Sequence, residues 1–218
     1  MSASVASPDV LDRVAGIEPS STLDALRHAR PAARTHTQRA HDVLLDPADD
    51  RGFTRAERLA VASFVLGLHR GGPGRGIPAL AQTYDDALRE LAPDLVDAVQ
   101  HAATAARRPG PYGVYREVGL ASESEPGEAF TAVADPGAGL DDRLAAGLDH
   151  AALLVLRPRE ASPEALAALA GAGWTPAQVV ELSQLVSFLT YQARIAHALA
   201  VVVDDDPALA TRPDGDPR

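Results

Sequence analysis

GWTPAQVVELSQLVSFLTYQARIAHALAVVV, at residues 173–203, is the stretch that decides the fold. It opens with Thr175 and Pro176, a pair typical of a helix N-terminus. Apolar side chains then recur every three or four residues, the spacing that places them on one face of an α-helix. The stretch therefore predicts one long helix whose apolar stripe faces the interior.

A second apolar helix is predicted at 54–69, TRAERLAVASFVLGLH, where Thr54 and Glu57 have the spacing of a capping box. Its apolar residues surround more than one face, so we expect this helix to be central. No segment alternates with period two, and the chain is predicted to be all-α. The remaining predicted helices lie at 8–15, 23–30, 79–91, 94–106, 141–156 and 163–172.

The pattern of breaks predicts five segments along the chain. Two of them, 53–107 and 141–203, each contain a charged start, an apolar helix, a proline-bearing break and a second helix. This pattern suggests two pseudo-repeated helical units. The irregular segment is long for a connection, which indicates either a functional loop or a disordered linker. The segments are a tail and helical arm at 1–52, a first helical unit at 53–107, an irregular loop at 108–140, a second helical unit at 141–203 and a mobile tail at 204–218.

Composition excludes several classes of function. The net charge of -10 argues against a nucleic-acid partner, because phosphate binding needs a clustered positive surface. All 20 basic residues are arginine, so Schiff-base lysines and P-loop lysines are excluded. The chain has no cysteine, which excludes disulfides and thiol catalysis.

The sequence also bears on location. The N-terminus lacks the basic and apolar regions of a secretory signal. No uninterrupted apolar run approaches the ~20 residues that cross a bilayer, so no membrane partner is expected. A cytoplasmic location is the resulting prediction.

The closing helix and the helix opened by Glu57 resemble those of the carboxymuconolactone decarboxylase and alkylhydroperoxidase-D (CMD) superfamily. The motif of that superfamily is a glutamate that opens an apolar helix, a Cys-x-x-Cys pair a little over three turns later, and a histidine four residues further on. Here His69 and Gly72 stand at the two cysteine positions, and Gly76 stands at the histidine position. The layout with an N-terminal arm resembles an uncharacterised, cysteine-less bacterial subgroup.

The resemblance implies an alkylhydroperoxidase-D-like (AhpD-like) helical bundle that assembles into homo-oligomers. The peroxidase branch of the superfamily needs a low-pKa thiolate, which this chain cannot supply. The decarboxylase branch needs no thiol and relies on acid–base groups. That branch stays open for this chain.

Glu57 and His69 are the candidate catalytic residues. Glu57 could act as a general acid or base, and its alternative role is the capping box. His69 could supply an imidazole near neutral pH, and its alternative is a helix C-terminal residue favoured by the helix dipole. The twelve residues between them span ~18 Å of helix, so any cooperation would cross a subunit or repeat boundary.

Tyr84, Tyr191, Arg194 and His197 are the candidate substrate-binding residues. The last three lie at i, i+3 and i+6 on the closing helix and share roughly one side of it, which suits a pocket for a small acidic ligand. The alternative is an interfacial or solvent-facing strip.

Other histidines give no further site. His150 lies among alanine and leucine, which predicts a buried, hydrogen-bonded side chain. His36 and His41 are five residues apart, the wrong spacing for a zinc pair on one helical face. No metal site is predicted. No cofactor is predicted either, since no dinucleotide fingerprint follows a strand.

Two functions follow from these observations. The first is a proton-transfer enzyme, of the decarboxylase or isomerase type, acting on a small acidic or lactone-like molecule. The second is a non-catalytic oligomeric scaffold, or a partner subunit of a catalytically intact CMD-type protein. A pocket that holds at least two titratable groups in mutual reach favours the enzyme, whereas a core without a pocket and a closing helix buried between subunits favour the scaffold.

Overall fold

The computed structural model describes residues 9–70 and 76–213, and it confirms the all-α prediction. Within these residues there is no β-strand, only two isolated bridges. The α-helices are α1 (Val10–Ala15), α2 (Thr22–His28), α3 (Pro31–Leu45), α4 (Arg55–His69), α5 (Gly76–Leu91), α6 (Pro93–Ala106), α7 (Asp142–Leu156), α8 (Pro163–Gly171) and α9 (Pro176–Asp205).

Helix α4 lies at the centre of the fold. Thr54 caps it and Glu57 completes the predicted capping box. Every residue from 58 to 68 is buried, because α5, α6, α7 and α9 pack around the helix. At Gly67 an added Cβ would lie 2.7 Å from the Cβ of Ala103, so glycine permits the close approach of α4 and α6.

Helix α9 is the long closing helix that the sequence predicts. It packs against α4, α5 and α7, and it also contacts α1 and α3 of the arm. Buried Tyr84 on α5 donates a hydrogen bond to Oε1 of Gln192 on α9 at 2.6 Å. By length and composition alone α9 could span a membrane, which the sequence analysis did not anticipate, although much of its surface packs inside the protein.

Two helix N-termini meet at one aromatic junction. Phe53 precedes the cap of α4, Trp174 precedes the cap of α9, and their rings pack edge to face at 5.1 Å. The guanidinium of Arg143 lies 4.1 Å from the centre of the Trp174 ring. It also pairs with Glu57 and donates to Gln178 Oε1 at 3.3 Å. The junction therefore holds the starts of α4, α7 and α9 together.

An ionic network fixes the N-terminal arm, α1 to α3. The carboxylates of Asp9 and Asp12 are buried, and Asp9 accepts a hydrogen bond from Arg27 at 2.6 Å. Arg34 on α3 donates to Asp12 at 2.6 Å and to Asp24 at 3.1 Å. Because each buried carboxylate has an arginine partner, α1, α2 and α3 are joined to one another.

The segment 108–140 is irregular, as predicted. It contains short 3₁₀ turns at Val118–Glu123 and Pro136–Ala138. The Tyr112 N–H donates to the carbonyl oxygen of Leu156 at 2.6 Å, and Gly113 pairs with Glu125. The first bond attaches the segment to the end of α7, and the second pairs two parts of the segment with each other.

The end of the chain differs from the predicted mobile tail. Helix α9 continues to Asp205, and Ala210 is buried. The carbonyl oxygen of Ala210 accepts a hydrogen bond from the Glu18 N–H at 2.8 Å, so the last turn packs on the arm. The charged and proline-containing sequence of 204–218 did not predict this contact. The rest of the predicted tail, 214–218, and the start of the predicted arm, 1–8, lie outside the described residues.

Replacement of Arg143 by alanine tests the aromatic junction. We expect Arg143→Ala to lower the free energy of unfolding by about 2 kcal/mol, because a partly buried ion pair, a cation–π contact and a hydrogen bond are lost together. Chemical denaturation measures the change. The control is Arg51→Ala, whose exposed ion pair with Asp49 touches no helix start and should leave the denaturation midpoint unchanged. Equal midpoints for the two variants would contradict the role of the junction.

Candidate functional site

A cavity of about 400 Å³ lies where the C-terminal end of α4 meets the C-terminal part of α9. The end of α7 and residues 108–111 close its other sides. Its polar groups come from arginine and histidine, and none of the described residues that line it is acidic. The polar side chains are His69, Arg108, Thr190, Arg194 and His197.

Two contacts between neighbouring elements place His69 and Arg108 at this cavity. Arg70, which ends α4, pairs with the buried carboxylate of Asp85 on α5, so the last turn of α4 is fixed. Arg107 donates from Nε to the carbonyl oxygen of Gly67 at 2.8 Å. This bond joins the end of α6 to the end of α4 and brings the neighbouring Arg108 to the cavity wall.

His69 is held as a neutral imidazole. Burial lowers its pKa because it disfavours the charged form, and the positive charge of Arg194 lowers the pKa further. Its Nε2 atom is buried without a hydrogen-bond partner among the described residues. A neutral, unpaired imidazole nitrogen can accept a proton or bind a hydrogen-bond donor of a ligand.

His197 places a second imidazole at the same cavity. It lies three residues after Arg194 on α9, so both side chains project from adjoining positions on one helical face. Its Nδ1 atom is also buried and has no hydrogen-bond partner within the described parts of the chain. The cavity is therefore lined by two titratable groups, His69 and His197.

Arg194 and Arg108 give the cavity its charge. Arg194 is exposed, and Nη1 of Arg108 is buried without a hydrogen-bond partner in the described structure. The planar guanidinium matches the geometry of a carboxylate and can bind it through two parallel hydrogen bonds. The arrangement favours a small anionic ligand.

Glu57 does not belong to this cavity. It lies at the opposite end of α4 from His69, where its carboxylate accepts hydrogen bonds from the Thr54 N–H at 2.7 Å and from Arg143. The structure thus gives Glu57 the capping role that the sequence analysis offered as the alternative.

The two predicted tyrosines lie apart from the cavity as well. Tyr84 is buried against Gln192, and burial raises the pKa of its phenol. The hydroxyl of Tyr191 lies 3.0 Å from that of Thr37, beside the arm. Since each residue turns a helix by 100°, the three-residue steps from Tyr191 to His197 rotate the side chains progressively away from one another. The predicted strip is therefore divided between two surfaces.

Sequence reasoning missed Arg108. It follows α6 in an irregular segment where no periodicity assigns a side chain to a surface. Its neighbour Arg107 is also an arginine. Arg107 donates a hydrogen bond to the carbonyl oxygen of Gly67, whereas Arg108 lines the cavity, and the sequence does not distinguish these two positions.

No group of three or more histidine, aspartate or glutamate side chains that could hold a metal occurs within residues 9–70 and 76–213. Gly72, at the second cysteine position of the superfamily motif, lies outside these residues. Comparisons of the chain with known protein families, curated proteins and solved structures find no match. The argument for function therefore depends on the geometry of the cavity.

The pKa of His69 tests the electrostatics of the cavity. In the wild-type protein we expect His69 to titrate below the ordinary histidine value, and Arg194→Gln should raise its pKa, because one of the two causes of the shift is removed. The raised pKa should stay below the ordinary value, since burial persists. NMR titration of the histidine Cε1 protons measures both.

The matched control is Arg89→Gln, which removes an exposed arginine of α5 that pairs with Asp86. It should leave the His69 titration unchanged. An Arg194→Gln variant that also leaves the pKa of His69 unchanged would contradict the proximity of these two side chains.

Proposed function

We propose that this chain is an acid–base enzyme of the CMD superfamily that acts on a small carboxylate-bearing or lactone-like molecule. The observation that supports the proposal is the cavity where neutral His69 lies with His197, Arg108 and Arg194, and where no described lining residue is acidic. A cavity of about 400 Å³ has the size of a small-molecule site.

Each of these residues has a separate role in the proposed reaction. Arg194, with Arg108 opposite, binds the carboxylate of the substrate and fixes its orientation. His69 takes a proton from the carbon next to a carbonyl group, because its lowered pKa keeps the base form populated at neutral pH. The proton then passes from His69 to His197 and from His197 to the neighbouring carbon, so the overall reaction is an isomerisation that consumes no proton and returns both imidazoles to their starting form.

A thiol peroxidase reaction does not fit this chain. That reaction needs a thiolate as the nucleophile that attacks the peroxide, and the sequence contains no cysteine. His69 occupies the position of the first cysteine in the superfamily motif. We infer that proton transfer replaces sulfur chemistry at the same end of the helix.

The second candidate function is an oligomeric scaffold or a partner subunit of a catalytically intact alkylhydroperoxidase-like protein. The observation that favours it is the set of apolar side chains exposed on α9, among them Val180, Val201 and Val202. Assembly into homo-oligomers through these side chains is compatible with both functions. The cytoplasmic location stays a prediction.

Solvent deuterium exchange tests the enzyme proposal. The protein is incubated in D₂O with a panel of small lactones, unsaturated lactone carboxylates and β-keto acids, and deuterium at carbon is followed by NMR. We expect at least one compound to exchange, and His69→Asn to slow the exchange by about 100-fold, the usual effect of removing a general base.

Arg194→Gln should raise the KM for the same compound more than it lowers kcat, because it removes a binding contact. The control is His101→Asn, because His101 is an exposed histidine on α6 outside the cavity. This variant should catalyse deuterium exchange into the compound at the wild-type rate. Exchange that is equally fast in the His69→Asn variant would overturn the assignment. A panel without any exchange, together with a stable oligomer, would favour the scaffold.

A peroxidase assay tests the thiol argument separately. Pure protein free of metal and cofactor should not reduce organic hydroperoxides at a rate above the background reaction, because no thiolate is available. Consumption of the hydroperoxide and of a dithiol reductant is followed in parallel. Turnover that depends on protein concentration would contradict the argument.

A further inference from the structure

A second cavity, of about 250 Å³, lies on the other side of Leu156 from the first. Helices α7 and α8 and residues 128–130 form its walls, and Arg108 and Leu156 line both cavities. Most of its wall is made of small or apolar side chains, namely Ala129, Phe130, Ala146, Ala152, Leu153, Ala165, Ala168 and Leu169.

The size of this cavity suits a molecule with a single ring. An apolar cavity of about 150 Å³ in a protein is large enough for benzene. A volume of about 250 Å³ therefore accommodates a six-membered ring with one or two small substituents. The alanine side chains on α7 and α8 provide this space because they are short.

The charged side chains of the second cavity are balanced. Arg108 lies 3.5 Å from Glu128, and Arg157 pairs with Glu160. Asp149 accepts a hydrogen bond from the Ala132 N–H at 2.6 Å. Two arginines and two carboxylates, Glu128 and Asp149, thus line the second cavity, whereas no described residue that lines the first cavity is acidic.

His150 lines this cavity and has one ring nitrogen without a hydrogen-bond partner among the described residues. The Ser183 hydroxyl donates to the carbonyl oxygen of Val179 at 2.8 Å, so its oxygen accepts from Nε2 of His150 at 3.0 Å. Nε2 therefore carries the proton, and Nδ1 has a lone pair. The His150 side chain is 6% exposed, and Nδ1 is buried without a hydrogen-bond partner in the described residues. Burial lowers the pKa of His150, which keeps the ring neutral.

We propose that the second cavity binds a small, uncharged, single-ring molecule of the phenol class, whose hydroxyl donates a hydrogen bond to Nδ1 of His150. The ring lies among the alanine and leucine side chains of α7 and α8. The inference does not rest on the proposed acid–base function, because the hydrogen-bonding group is His150, although Arg108 and Leu156 line both cavities.

Binding of phenol and toluene to the full chain tests the proposal, because the two molecules have nearly the same shape and only phenol has a donor. Calorimetry and ligand-observed NMR should show that phenol binds more tightly than toluene. His150→Leu should lower the affinity for phenol about tenfold, the usual effect of one lost hydrogen bond. The same substitution should change the affinity for toluene by no more than about twofold. Equal affinities of the wild-type protein for both molecules would overturn the role of His150.

A pair of alanine substitutions on α8 locates the site. Ala165 lines the cavity, and Ala167 lies on the exposed face of the same helix. Ala165→Leu should abolish binding of both molecules because it fills the cavity, whereas Ala167→Leu should bind as the wild type does. Retained phenol binding in Ala165→Leu, or no binding of either molecule to the wild-type protein, would overturn the proposal.

Discussion

The complete burial of α4 is the constraint on which the rest of the structure depends. A helix without an exposed face needs partners on every side, and here α5, α6, α7 and α9 provide them. Small side chains make this packing close, as at Gly67 against Ala103. The buried polar side chain of Ser63 in the middle of α4 is paired with Asp85, so the two ends of the helix carry the polar groups that reach other sites. One end forms the aromatic junction with α9, and the other end places His69 at a cavity.

Much of the fold could be predicted because its signals are local. The capping boxes at Thr54 and Thr175 and the apolar spacing that follows them mark α4 and α9 almost to the residue. The contact of Ala210 with Glu18 could not be predicted, since it joins two ends of the chain through backbone atoms alone. The CMD superfamily assignment stays a prediction.

The candidate site could be predicted only in part. His69, Arg194 and His197 were identified individually from their residue types and helical positions. Their convergence depends on how α9 crosses the end of α4, which no local pattern encodes. Tyr191 was included because spacing on a helix was treated as a single face, although the turn between residues carries it toward the arm. Glu57 has the right spacing for a cap, and its contacts agree with that role.

Arg194 beside His69 couples the protonation of the cavity to its occupancy. In the empty cavity the arginine charge opposes the imidazolium form of His69. An anion bound to Arg194 neutralises that charge, so the bound state takes up a proton more readily than the free state. By reciprocity, proton uptake strengthens anion binding by the same factor. If the proposed anionic ligand binds there, acidification favours its binding and a rise in pH favours its release.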